Sequence, residues 1–205
     1  MNTFRIVPIA TLLALGVAGC GPQKDKEPAK PKVASATEVA KPVMALPVLG
    51  PAPTWLLKDL NGKVVNSEEL RGKVVVVDFW ATWCGPCGME IPGYIALQDK
   101  YGKDGLVIVG VSLDEAGVDV VRAFAGKNHM NYQVVMGDEK VQEAFGGMEA
   151  IPTTFIIDRA GQIRDKKVGV EETADYEQKI LAVLREPAAS DVAKKKSNSS
   201  NDTRG

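Results

Sequence analysis

One histidine, His129, is all that this 205-residue chain contains, and it has three cysteines, Cys20, Cys84 and Cys87. An all-protein zinc site is hard to build from so few ligands, and no metal is expected. Excess charge is missing too: 25 basic residues stand against 26 acidic ones, for a net charge of -1. No basic face is implied, so nucleic acid is not an expected partner. The apolar run near the start, "IVPIATLLALGVA", is too short to span a bilayer comfortably. Internal repeats are lacking as well. The length leaves room for one domain plus tails.

The short apolar run follows a positive start at Arg5 and the amino terminus, the pattern of a signal peptide over residues 1–19. It ends in "VAGC", and small residues before a cysteine resemble the bacterial lipobox. That resemblance implies that Cys20 carries lipid and becomes the mature N-terminus. Export then places Cys84 and Cys87 where disulfides persist, as an even pair with no other partner in the chain. Residues 20–51 are rich in Pro, Ala and Lys without apolar periodicity, and read as the anchor and a disordered tether. Thirty flexible residues have a typical end-to-end distance of roughly 30 Å. Residues 188–205 are polar and read as a disordered tail, whose Lys194 to Lys196 run is a solvated one.

The folded part is expected over residues 52–187. "WLLKDLNGKVV" carries Asn-Gly between two apolar pieces, a hairpin signal. "NSEELRG" is a short capped turn. The β-branched run "KVVVVDFW" reads as a central strand buried on both faces. "CGPCGMEIPGYIALQDKYG" reads as a helix ending at Gly102, with Pro92 inside it. Strand, helix, strand and helix segments follow in "LVIVGVSL", "AGVDVVRAFAGKNHM", "YQVVM" and "DEKVQEAFG". A strand-turn-strand, "TTFIIDRAGQIRDKKVG", and a last amphipathic helix complete the pattern. This is an α/β fold, a mixed central sheet with helices on both faces. Two thiols three positions apart in such a fold could be a staple, half of a metal site or a redox couple.

"VVVVDFWATWCGPC", with "IPTTFIID" roughly sixty residues further on, resembles the thioredoxin superfamily. The lipobox, the tether, the "DLNGK" hairpin and "VIVGVSLDE" with its inserted helix and strand resemble the exported TlpA/ResA-type branch. The peroxiredoxins share much of this topology, but their Pro-x-x-x-Thr-x-x-Cys pattern is missing: Thr82 lies two places before Cys84, not three. The resemblance implies a thioredoxin-like fold and an extracytoplasmic, membrane-anchored thiol–disulfide oxidoreductase. Gly-Pro inside the motif goes with the reducing members of the superfamily.

Cys84 and Cys87 fall at a strand-to-helix junction. Free N–H groups and the positive end of the helix dipole there stabilise a thiolate at Cys84, the attacking sulfur. Cys87, one turn in, is the resolving sulfur. A disulfide closing so short a loop would restrain the unfolded chain little, which argues against a mere staple. Asp78, inside the buried strand, is expected to have a raised pKa. By resemblance it matches the buried acid that helps take the proton from the second cysteine. The lysine that usually accompanies this acid is absent, its aligned position being Gly110. Glu90 lies one helical turn beyond Cys87 and matches the glutamate of the branch's Glu-x-Pro signature. Pro152 matches the family's cis-proline, which would set the Ile151 backbone beside Cys84 for a substrate's main chain. Trp80 reads as core and Trp83 as a substrate-facing platform, with Gly85 and Pro86 beside it. No cofactor is expected. Expected partners are disulfide-bearing client proteins, apocytochrome c among them by resemblance, and a membrane thiol-electron donor; the protein is expected to be a monomer. The competing readings are a net oxidase or peroxide-linked thiol enzyme, and a non-catalytic lipoprotein binding module.

Overall fold

The computed structural model describes residues 45–187. The expected signal peptide, the lipid attachment at Cys20, most of the tether and the tail from residue 188 lie outside the described residues. The strands are β1 (Gly50–Pro51), β2 (Leu56–Asp59), β3 (Val64–Asn66), β4 (Val74–Trp80), β5 (Leu106–Ser112), β6 (Gln133–Met136), β7 (Thr153–Ile157) and β8 (Gln162–Val168). The helices are α1 (Gly85–Tyr101), α2 (Val118–Lys127), α3 (Glu139–Ala144) and α4 (Thr173–Leu184). Together the strands form one mixed sheet in the order β1-β8-β7-β4-β5-β6-β2-β3. This is the thioredoxin-like α/β architecture.

β4 is buried at all seven positions because helices cover both faces of the sheet. Val74, Val76 and Trp80 pack with Ile91, Leu97, Val121 and Ile180, from α1, α2 and α4. Val75, Val77 and Phe79 pack on the other face with Val141 of α3, Phe145, Trp55 and Leu57. Phe79 meets Phe145 and Phe155 edge-on. β5 and β6 run parallel to β4, whereas β7 and β8 are antiparallel additions. The Asn-Gly hairpin forms between β2 and β3, and Gly62 takes the positive φ of 82° that its turn requires.

The packed chain begins before residue 52, where the sequence reading starts it. The Leu49 N–H donates to the Ile163 carbonyl, β1 pairs with β8, and Leu46 packs on the core. Arg164 explains this. Its buried guanidinium donates to the Leu46 and Pro47 carbonyls and pairs with Asp158 and Glu186. Edge pairing and a guanidinium fork use backbone atoms, so the segment needs no apolar periodicity to dock. This arm meets the end of β8 remote from Cys84, since β4 and β8 run the same way on either side of β7.

Candidate active site

β4 delivers the chain to the dithiol at its C-terminal end, and α1 begins immediately after it. Cys84 is the N-cap of α1, with extended backbone (φ -83°, ψ 103°), and its Sγ accepts the Cys87 N–H at 3.2 Å. Pro86 occupies the first turn, where its missing N–H costs nothing and its fixed φ suits the helix. Cys84 and Cys87 are joined by a disulfide with Cα atoms 5.3 Å apart. Cys87 is the more enclosed of the two, 2% exposed against 7% for Cys84. Gly85 and Pro86 are exposed beside them, and Trp83 is 71% exposed. Trp80 is in the core against Phe124.

The Ile151–Pro152 peptide is cis, and the Ile151 carbonyl oxygen lies 3.7 Å from Cys84 Sγ. The next residue, Thr153, starts β7 opposite Phe79, which is what brings this loop over the motif. His129, by contrast, is exposed beyond the end of α2, with a φ of 53°.

Three further acids and one lysine complete the surroundings. Asp78 is 3% exposed and shares the α1 face of the sheet with Val76 and Trp80. Burial pushes its pKa up to about 7, and the charge of Glu90 adds to that; a hydrogen bond from Thr154 and the charge of Lys167 pull the other way. Glu90 is not an exposed helix acid. It is 6% exposed and forms an ion pair with Lys167, itself 8% exposed. Glu90 Oε1 also accepts the Glu171 N–H at 3.3 Å. Asp114, which sequence reasoning missed, ties down the strand-to-helix junction: it accepts the Thr82 N–H and hydroxyl and the Ser112 hydroxyl. Only the order "SLDE" after a buried strand hinted at it. Asp114→Ala is expected to destabilise the protein by about 3 kcal/mol in urea unfolding, because it orphans three donors at once.

Lys167 was also missed. Register places it: Asp78 pairs with Gly110 on β5 and with Thr154 on β7, and Thr154 pairs with Lys167 on β8. The lysine missing from Gly110 could not be housed there. A Cβ at 110 would meet Trp80 Nε1 at 2.9 Å and the Tyr132 ring at 3.4 Å. The cation comes from the other side of Asp78, two strands away.

A dithiol at a helix N-terminus, a cis-proline loop against it and a buried acid on the sheet face that the helix covers define the class, a thioredoxin-like redox protein. The chain belongs to the AhpC/TSA family, whose model matches residues 48–166. It is similar to the thioredoxin-like protein YneN of Bacillus subtilis, 37% identical over 131 residues, 63% of this chain and 76% of that one. It is similar to the thiol-disulfide oxidoreductase ResA of Bacillus anthracis, 33% identical over 126 residues, 60% of this chain and 70% of that one. Among solved structures it resembles a thiol:disulfide interchange protein of the thioredoxin family from Chlorobium tepidum, with TM-score 0.62 and 32% identity, covering 66% of this chain and 96% of that one. The chain is a thiol–disulfide oxidoreductase, and its substrates bear disulfides.

Proposed function

We propose that this protein is an extracytoplasmic, lipid-anchored reductase of protein disulfides. The observation that carries the reading is the disulfide-bonded Cys84–Cys87 pair at the start of α1 with the buried Asp78 on the adjoining sheet face. The "VAGC" sequence at Cys20 supports the anchor.

In the reduced protein the Cys84 thiolate, held by the Cys87 N–H and the helix end, attacks a client disulfide. A mixed disulfide forms and one client thiolate leaves. Asp78 takes the proton of the Cys87 thiol, and the Cys87 thiolate attacks Cys84 Sγ. The Cys84–Cys87 bond forms, the second client thiolate leaves, and two electrons have passed to the client. A membrane dithiol donor returns them by the reverse exchange. Reduction is favoured over oxidation because a buried carboxylate in the strand that leads to the pair opposes thiolates there. Less stabilised thiolates make a less stable reduced form, hence a lower potential. By resemblance, the haem-binding cysteines of apocytochrome c are one client class.

Trapping tests this reading. In Cys87→Ser, clients are expected to accumulate as mixed disulfides on Cys84, identified by mass spectrometry, and in Cys84→Ser they are not. The reduction potential of the pair is expected near thioredoxin's, about -270 mV; a value near that of DsbA, about -120 mV, would make the protein an oxidase.

A further inference from the structure

We propose that Lys167 is a positioning residue for the dithiol reaction: delivered from β8, it neutralises Glu90 on α1 and, through Tyr94 and Thr154, orients a hydrogen-bonded chain onto Asp78, the group that takes the proton of Cys87. The inference rests on the proposed reductase chemistry and adds a residue to it.

The chain is continuous. Lys167 Nζ is 3.4 Å from the Tyr94 hydroxyl, which is 3.2 Å from Thr154 Oγ1, which donates to Asp78 Oδ1 at 3.1 Å. The chemistry of the ends fixes the direction of the middle. An ammonium only donates and an ionised carboxylate only accepts. Tyr94 therefore accepts from Lys167 and donates to Thr154, and Thr154 donates to Asp78. Burial and the charge of Asp78 raise the Tyr94 pKa, which keeps the hydroxyl protonated for this task. A row of donors pointing one way polarises each link and steadies negative charge at its end.

The cation is built in rather than incidental. It is walled by the rings of Tyr176 and Tyr94, whose centroids lie 5.0 and 5.9 Å from Nζ. Glu90 Oε2 is buried and has no hydrogen-bond partner among the described residues. Among the described residues, Lys167 is the cation that Glu90 pairs with.

The charged and titratable groups around the cluster are few. β4 contributes Asp78; α1 contributes Glu90 and Tyr94; Tyr132 precedes β6. Asp165 lies on β8 and Glu171 just after it, both paired with Lys179 of α4, which also contributes Tyr176. Lys179 is therefore already committed to two acids, and among the described residues Lys167 is the cation left for Asp78 and Glu90.

The test is the titration of the Asp78 carboxyl in the oxidised full-length protein, followed by carbon-13 NMR, with the pH profile of insulin-disulfide reduction driven by dithiothreitol as a second readout. In Lys167→Met the Asp78 midpoint is expected to rise by about one pH unit, and in Lys167→Arg to stay near the wild-type value. The half-rise of the reduction profile should follow it. Because Lys167→Met leaves Glu90 unpaired and can fail to fold, a second comparison is made in a neutral background. Glu90→Gln lowers the Asp78 midpoint, and adding Lys167→Met raises it again by about one unit. Equal midpoints in Glu90→Gln and Glu90→Gln/Lys167→Met would overturn the inference, as would an unmoved midpoint in a folded Lys167→Met. Failure of the reductase reading would show differently, as wild-type protein that reduces no insulin disulfide and traps no client.

Discussion

Asp78→Asn is expected to slow resolution of the mixed disulfide by about a hundredfold, because the proton of Cys87 loses its acceptor. Stopped-flow measurement of client release from the Cys84 mixed disulfide would show it, while the first attack by Cys84 stays fast. The same substitution should stabilise the oxidised protein, with a defined pH dependence. The folded pKa of Asp78 is about 7 against 3.8 for a free aspartate side chain. Between those values the folded protein holds a proton that the unfolded chain has released. Stability therefore falls as pH rises from about 4 to 7, and the loss is complete above the folded pKa. The penalty there amounts to about 4 kcal/mol, a net figure in which the Thr154 hydrogen bond and the charge of Lys167 are already counted. Asp78→Asn removes it. Its advantage in thermal or urea unfolding should be absent near pH 4, grow to pH 7 and level off above. An advantage that is flat across this range would mean that Asp78 is not the group titrating.

Glu90→Leu carries the second large effect. It leaves Lys167 in a site 8% exposed without its directly paired carboxylate, at a cost of about 3 kcal/mol. Glu90→Leu combined with Lys167→Met should recover most of that loss, since an apolar pair of similar volume replaces a buried ion pair at little cost. Urea unfolding of the two variants at pH 7 separates the cases. If the double variant were as unstable as the single one, packing around Glu90 would be responsible rather than charge.

The arm at residues 46–51 was hidden in the sequence, because a Pro-rich segment without periodicity docks through backbone carbonyls on Arg164 and an edge strand. Asp114 was hidden for a similar reason: its partners, Thr82 and Ser112, are brought together only where β4 and β5 end side by side.

Local chemistry alone determined much of this protein. A β-branched run meeting Cys-Gly-Pro-Cys placed a strand end, a helix start and two sulfurs at that helix start. An acid in that strand required a raised pKa. Those conclusions depend on neighbours a few positions away. Glu90 is different. One turn after Cys87, it could have been a surface acid, and only packing shows it buried against Lys167, 77 residues away in the chain. Nor does anything in "RDKKVG" say which lysine turns inward. That choice is made by the register that sets Lys167 opposite Thr154 and Thr154 opposite Asp78. The sequence named the sulfurs and the buried acid; the tertiary structure chose the cation, because a sheet brings distant strands into one row and a side chain's charge matters only to what lies within a few ångströms of it.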